Sequence, residues 1–332
     1  MSCAAESLRF RRSLQRERDR MSDADNPALG QAWFPSRWGA EDEIGAGNLL
    51  GPHTVLEAAR LIRSGETVSL GFPYRVGMPL SPGRTFGLKM PGGPTGGPEG
   101  AVSRTVWNDD FVCTEIGQIG THMDALGHLG HQVTYPCGHC DTLVYNGNKL
   151  SEIWSPYGLK KLGIEKAPIF FTRGVLLDVQ ALFGEPLANG VEITPEHLLQ
   201  CIDRQGLDHN DWLRPGDVVL IRTGHGSRFF SEAANWYDGE PGLGLAAAEF
   251  LSALQPVVVG ADNFAIDVVP PVDPDMVLPC HQHLIMRHGI YLHEGMNLDA
   301  LAETGRSEFV YAFAPLRIEG ATGSPGMPFA IL

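Results

Sequence analysis

Glu115-Ile-Gly-Gln-Ile-Gly-Thr-His-Met-Asp-Ala-Leu-Gly-His128 is the stretch from which the rest of the chain is read. After Gly117 its odd positions, Ile119, Thr121, Met123 and Ala125, are small or apolar. Its even positions carry chemistry: Gln118, His122, Asp124 and His128. Period-two alternation places every other side chain on one face of an extended segment. One face then packs into a core, and the other presents an amide, two imidazoles and a carboxylate. Such donors suit a divalent cation of the Zn or Mn type.

Chain geometry limits this reading. On a straight strand at roughly 3.3 Å per residue, Gln118 and Asp124 stand about 20 Å apart, whereas metal–ligand bonds are about 2.0–2.3 Å. His122 and Asp124 can chelate one ion. Gln118 joins them only if the backbone folds back, which Gly117 and Gly120 permit. His128, beyond Gly127, can curl over the metal. A half-buried strand with a wet polar side is the plainer alternative.

Gly120-Thr-His-Met-Asp-Ala-Leu-Gly-His128 resembles the signature of the metal-dependent cyclase/hydrolase family, which includes bacterial kynurenine formamidase and isatin hydrolase. That signature runs His-x-Gly-Thr-His-x-Asp-x-Pro-x-His. The chain matches it at Gly120, Thr121, His122, Asp124 and His128. It departs at Gln118, where the family has a first metal-binding His, and at Leu126, where Pro is common. The likeness extends from Arg37-Trp-Gly-Ala-Glu-Asp42 through Thr172-Arg-Gly-Val-Leu-Leu-Asp178 and Gly216-Asp-Val-Val-Leu-Ile-Arg-Thr223 to Gly323-Ser-Pro325. It implies an α/β fold, a single domain with a mixed sheet of the swivelling β/β/α type. A dimer or larger homo-oligomer is implied as well.

With 332 residues and 43% hydrophobic content, the chain can bury a sizeable core. A formal charge of −14 argues against nucleic acid or anionic membrane as the main partner, and no apolar run reaches the ~18 residues of a membrane span. Six scattered cysteines do not read as a disulfide framework, so a reducing, cytoplasmic compartment is expected. Residues 1–25 read as a disordered, Arg-rich tail, followed by the hydrolase-type domain over residues 26–332.

Along that domain, residues 54–63 read as a helix capped by Thr54, and 66–70 as a strand. Residues 77–100, dense in Gly and Pro, read as a long loop, either a lid over the pocket or a surface excursion. Asp109 and Asp110 are candidates for orienting a ligand His, or an exposed turn. Cys137-Gly-His-Cys140 matches a redox pair in its letters only, since no thioredoxin-like pattern surrounds it. Residues 168–171, 174–179, 216–223 and 257–261 read as buried strands. Helices are expected over 194–205, with Thr194 as cap and Pro195 first, and over 245–254. Asp178, Asp262 and His225, beside strand ends, either line the cavity or serve as turn and capping residues.

In Cys280-His-Gln-His-Leu-Ile-Met-Arg-His-Gly-Ile-Tyr-Leu-His-Glu294 a helix places His281 and His288 toward a core, and Gly289 ends it before a strand. The resemblance pairs a His of this helix with a Glu ending that strand. Glu294 matches. The expected spacing falls on Gln282, between His281 and His283, and His281 is favoured.

A P-loop, a Gly-x-Ser-x-Gly elbow and glycosidase-type carboxylate pairs are absent from the sequence. The expected chemistry is therefore metal-assisted: an ion held by His122 and Asp124, completed by Gln118 and Glu294, activates water. His128, with His281 as second candidate, takes the water's proton and passes it to the leaving nitrogen. The expected reaction is hydrolysis of a carbon–nitrogen bond in a small amide or lactam, arylformamides and isatin-like rings being what the resemblance implies. Two alternatives stand beside it: a polyketide-type cyclase or dehydratase, and a non-catalytic binding protein on the same fold.

Overall fold

Three apolar runs, over residues 170–178, 218–222 and 258–261, lie side by side at the centre of the molecule. The structure, a computed structural model, describes residues 33–134 and 140–332. The expected tail over residues 1–25 and the Cys137 end of the Cys-x-x-Cys motif fall outside those residues.

The main sheet has nine strands: β1 (Thr67–Ser69), β2 (His122–Asp124), β3 (Phe170–Asp178), β4 (Val218–Arg222), β5 (Val258–Ala261), β6 (Tyr291–Glu294), β7 (Glu308–Phe313), β8 (Gly323–Pro325) and β9 (Phe329–Ile331). Their order across the sheet is β1-β9-β7-β3-β4-β5-β6-β2-β8. The central β3, β4, β5 and β6 run parallel. β7 joins β3 antiparallel, and β2 joins β6 antiparallel. The sheet is therefore mixed, in a single α/β domain.

Burial on both faces explains why the central strands read as unbroken apolar runs. Val218, Val219 and Leu220 are all fully buried, each side chain contributing about 1.5–3 kcal/mol by leaving water. Covering helices are α1 (Pro52–Ala59), α2 (Pro195–Gln205) and α3 (Leu245–Ala253). Thr194 caps α2 with Pro195 in its first position, as expected. α1 starts earlier than expected: Pro52 takes its first position and Thr54 its third, where its Oγ1 accepts from the Gly51 N–H. The two runs over 168–179 are one nine-residue strand, β3.

Two corrections concern the segments around the site. Residues 77–100 are not one structureless loop. Phe86–Lys89 pairs with Phe111–Thr114, and Gly96–Glu99 with Thr105–Trp107, so 86–114 form an exposed two-stranded ribbon. Its glycines and prolines interrupt the alternation that marks a strand. The helix before Gly289 is also not plain α. α4 (Pro279–His281) widens into a π-helix over Gln282–Arg287. This changes the angular phase, so His281 and His288 do not share a face. His281 faces the site, while His288 lies beside His283, ring centroids 4.6 Å apart.

Candidate functional site

β2 is only three residues long, and both neighbours fix its faces. Its His122 stands opposite Glu294 of β6, and its Asp124 opposite Gly323 of β8. Cross-strand partners project to the same side of a sheet, so His122, Asp124 and Glu294 share one face while Met123, fully buried, fills the core behind them. The Gly-Ser-Pro segment is thus the strand flanking the site.

His122 Nε2 lies 3.3 Å from Glu294 Oε2 and 3.7 Å from Asp124 Oδ1. His281 Nε2 lies 3.0 Å from Glu294 Oε1 and 3.7 Å from Asp124 Oδ2. Donors around a tetrahedral ion with bonds of about 2.1 Å stand about 3.4 Å apart, and these separations bracket that value. All four residues are at most 5% exposed. His122 Nε2, Asp124 Oδ2 and Glu294 Oε1 have no hydrogen-bond partner among the described residues.

The outer nitrogens explain why. His122 Nδ1 donates to the Gly120 carbonyl at 2.9 Å, and His281 Nδ1 to Asp267 Oδ2 at 2.7 Å. A neutral ring that donates through Nδ1 presents a lone pair at Nε2. His122 Nε2 and His281 Nε2 therefore both turn lone pairs toward the Asp124 and Glu294 carboxylates, an arrangement that requires a proton or a cation; the ligand atoms of His122, Asp124 and Glu294 lie within 4.8 Å of one another, as do those of Asp124, His128 and His281. The residues present fit a divalent ion.

Electrostatics lead to the same place. Burial opposes charge on both imidazoles, but Glu294 and Asp124 outweigh it at His122, whose pKa is raised. Asp267 and Glu294 outweigh it at His281, whose pKa is raised well above the ordinary value. Burial pushes Glu294 upward, and the His122 and His281 rings pull it down to about 2.

Gln118 and His128 occupy the rim. Gly120 (φ +53°) turns the backbone into β2. Gly117 lies so close to Gly323 that a Cβ would meet its backbone at 2.5 Å. This folded path brings Gln118 to Asp124, but by the other end of its amide from the one a metal needs. Gln118 Nε2 donates to Asp124 Oδ1 at 2.7 Å and contacts His128 Nδ1 at 3.0 Å. Its Oε1 faces away, accepting from Arg84 Nη1 at 3.3 Å, and Arg84 also donates to the Gln118 carbonyl. In this arrangement the oxygen expected to ligate points away from the four-donor set. His128 has a side chain 22% exposed, with Nε2 3.9 Å from Asp124 Oδ1. Burial lowers its pKa, with Asp124 opposing.

Of the other residues weighed, His283 lies elsewhere, bonded to Ser252 Oγ at 2.8 Å, and burial pushes its pKa down to about 3. Asp178 caps a short helix by accepting from the Ala181 N–H and binds Arg222. Asp262 gathers the N–H groups of Thr223 and Gly224. His225 bonds the Trp236 carbonyl. These three are capping and turn residues. Asp109 and Asp110 are exposed, and the carboxylate that orients a site histidine is instead Asp267, which sequence reasoning missed. Its signal was position alone, six residues beyond the end of a central strand, where α/β folds place functional loops. Arg84 was also missed, although it is the only charged residue between Arg75 and Lys89.

A crystal structure described as a novel cyclase superposes on the chain with a TM-score of 0.76 at 32% identity, covering 89% of this chain and 96% of that one. Isatin hydrolase A from Ralstonia solanacearum superposes at 0.56 with 20% identity, covering 80% of this chain and 91% of its own. Isatin hydrolase A from Labrenzia aggregata, bound to benzyl benzoate, does so at 0.53 with 22% identity, covering 82% and 94%. These last two share the fold. Among curated proteins none matches the sequence. The family model named Cyclase ("Putative cyclase") matches residues 68–268, more than half of the chain. The chain belongs to the Cyclase family.

Proposed function

We propose that the protein is a metal-dependent hydrolase that cleaves a carbon–nitrogen bond in a small amide or lactam, an arylformamide or an isatin-like ring. The observation that carries this reading is the buried cluster of His122, Asp124, Glu294 and His281, in which His122 Nε2, Asp124 Oδ2 and Glu294 Oε1 have no hydrogen-bond partner among the described residues. These four residues would hold one divalent ion, Zn or Mn by donor type. When bound, such an ion supplies a water ionised near neutral pH and polarises a carbonyl.

The chain's own groups divide the remaining work. Asp267 and the Gly120 carbonyl hold the two inner rings with Nε2 facing inward. His281, almost wholly buried and pinned by Asp267, belongs with the ion-holding groups and not with proton transfer. His128, the partly exposed imidazole, is the ring that meets substrate. An aromatic cluster starts at Ile119, next to Gln118, and includes Phe72, Tyr74, Tyr237 and Phe264. Tyr74 donates to the Ile119 and Thr121 carbonyls at 2.5 and 2.7 Å. Apolar ring faces of this kind suit a flat aromatic substrate, and the isatin hydrolases that share the fold are consistent with that class.

The test is metal analysis of the purified protein combined with turnover of an N-formyl arylamine and of isatin in ¹⁸O-labelled water. About one Zn or Mn per chain, with label entering the carboxylate product, is expected. Turnover by metal-free protein would sink the reading. The description of the 32%-identical structure as a cyclase favours a second reading, a metal-dependent cyclase or dehydratase. In that case no label enters an acyl product.

A further inference from the structure

Three imidazoles face the site, and their hydrogen bonds set two of them opposite to the third. We propose that Gln118, locked by Arg84, is a positioning residue that holds neutral His128 with its proton on Nε2. His128 then meets the substrate as a hydrogen-bond donor to the carbonyl oxygen, not as a base and not as a metal ligand. This rests on the hydrolase reading above.

The sense of the Gln118 amide is fixed at both ends. An ionised carboxylate only accepts hydrogen bonds, and a guanidinium only donates them. Asp124 Oδ1, at 2.7 Å, therefore faces the amide NH2, and Arg84 Nη1 faces its oxygen. Reversing the amide would set oxygen against oxygen on one side and N–H against N–H on the other. With the NH2 group so placed, its second hydrogen points at His128 Nδ1, 3.0 Å away. That nitrogen must accept, and the proton of the neutral ring is on Nε2.

Two consequences follow for this chain. Asp124, His128 and His281 also lie close enough together to suggest an ion, but a protonated Nε2 cannot ligate one. The ion is then left to His122, Asp124 and Glu294, whose ligand atoms lie within 4.8 Å of one another, with His281 Nε2 beside them 3.0 Å from Glu294 Oε1, and one ion per chain is expected. Second, a neutral imidazole with its N–H aimed into a partly desolvated site can stabilise charge developing on a carbonyl oxygen without transferring its proton.

The deciding experiment is long-range ¹H–¹⁵N NMR of the histidine side chains in the zinc-loaded full chain, His128 being assigned with a His128→Gln variant. The expected result is an Nε2–H signal for His128, Nδ1–H signals for His122 and His281, and one zinc per chain. Arg84→Met frees the amide to turn; the His128 signal becomes that of a tautomer mixture, kcat falls about tenfold and KM stays within about twofold. Arg84→Lys retains a donor and restores the single tautomer with most of kcat. An Nδ1–H tautomer at His128 in the unmodified protein, two zinc ions per chain, or an unchanged His128 signal in Arg84→Met would each overturn the proposal. Absence of amide turnover with the Nε2–H tautomer in place overturns the hydrolase reading and leaves the Gln118 assignment supported.

Discussion

His122 and Glu294 oppose each other across two hydrogen-bonded strands, whereas Gln118 and Arg84 meet across two loops. The first pair forms the floor of the site and is placed by sheet register, with Met123 packed beneath it. The second pair forms the rim; each residue sits in a turn, and the two half-buried side chains are joined by hydrogen bonds from the Arg84 guanidinium. Register positions a donor through many backbone bonds, so a floor residue can be replaced without moving its neighbours, and what is lost is its own chemistry. A rim residue holds its neighbours, so its replacement changes their orientation. The largest expected effect tests the floor. His122→Ala should remove most of the zinc and lower kcat/KM by at least about 10³, with far-UV circular dichroism unchanged. Gln118→Ala should keep zinc affinity within about threefold while kcat falls. If Gln118→Ala instead loses its zinc as His122→Ala does, the division between floor and rim fails and Gln118 is a ligand.

Asp267 belongs to the floor although it sits on a loop, because it accepts from the Cys280 and His281 N–H groups as well as from His281 Nδ1. Outer partners of ligand histidines typically control metal affinity by 10–100-fold. Asp267→Asn should weaken zinc binding by about that factor in a chelator competition, and saturating zinc should recover most of kcat. Recovery of neither affinity nor rate would assign Asp267 a purely structural role.

Smaller, and specific in sign, is the effect of pH. His122 and His281 have raised pKa values in the metal-free protein, so each keeps its proton to a higher pH than an ordinary histidine. Metal binding requires the Nε2 lone pair and displaces those protons. Zinc affinity should therefore climb with pH through the neutral range, by up to about tenfold per pH unit for each proton released. Metal-free stability runs the other way. The histidine contribution is complete below the unfolded value of about 6.5 and is lost as pH rises through the raised folded values. Glu294, pulled down to about 2, contributes above about 4.5 and loses that contribution as pH falls. Thermal unfolding of metal-free and zinc-loaded protein at pH 6 and pH 8.5 should show the two forms moving apart. Parallel shifts would mean that neither imidazole holds the ion.

The same division governs what could be read from the sequence. Alternation at His122, Met123 and Asp124 was legible because a strand has one period and the apolar residue announces the core side. β3, β4 and β5 were legible as continuous apolar runs because both of their faces are buried. Glu294 was reached through the resemblance, and the sheet then placed it beside His122 by register. Asp267 was not legible, since an Asp on a loop that reaches a histidine fourteen residues later has no local pattern. Nor was the end-for-end sense of the Gln118 amide, which depends on Arg84, thirty-four residues upstream. The π-helical widening over Gln282–Arg287 escaped because helical periodicity presumes 3.6 residues per turn, and His288 was misplaced as a result. The ribbon over residues 86–114 escaped because its partners lie up to 28 residues apart and its glycines blur both faces.

That ribbon supplies the smallest expected effect and the sharpest contrast with the floor. Trp107 is 40% exposed and Val112 53% exposed, so each keeps a large share of its surface in water. Surface substitutions away from caps, cores and charge networks usually change stability by no more than about 0.5 kcal/mol. Val112→Ser should therefore leave the unfolding midpoint almost unchanged, whereas Met123→Ala, behind the floor, should cost about 2–5 kcal/mol through the cavity it leaves. Parallel denaturation of the two variants makes the comparison directly. A loss at Val112 matching that at Met123 would mean the ribbon face is covered in solution, and sedimentation at the same concentrations would then show whether a second copy of the chain covers it.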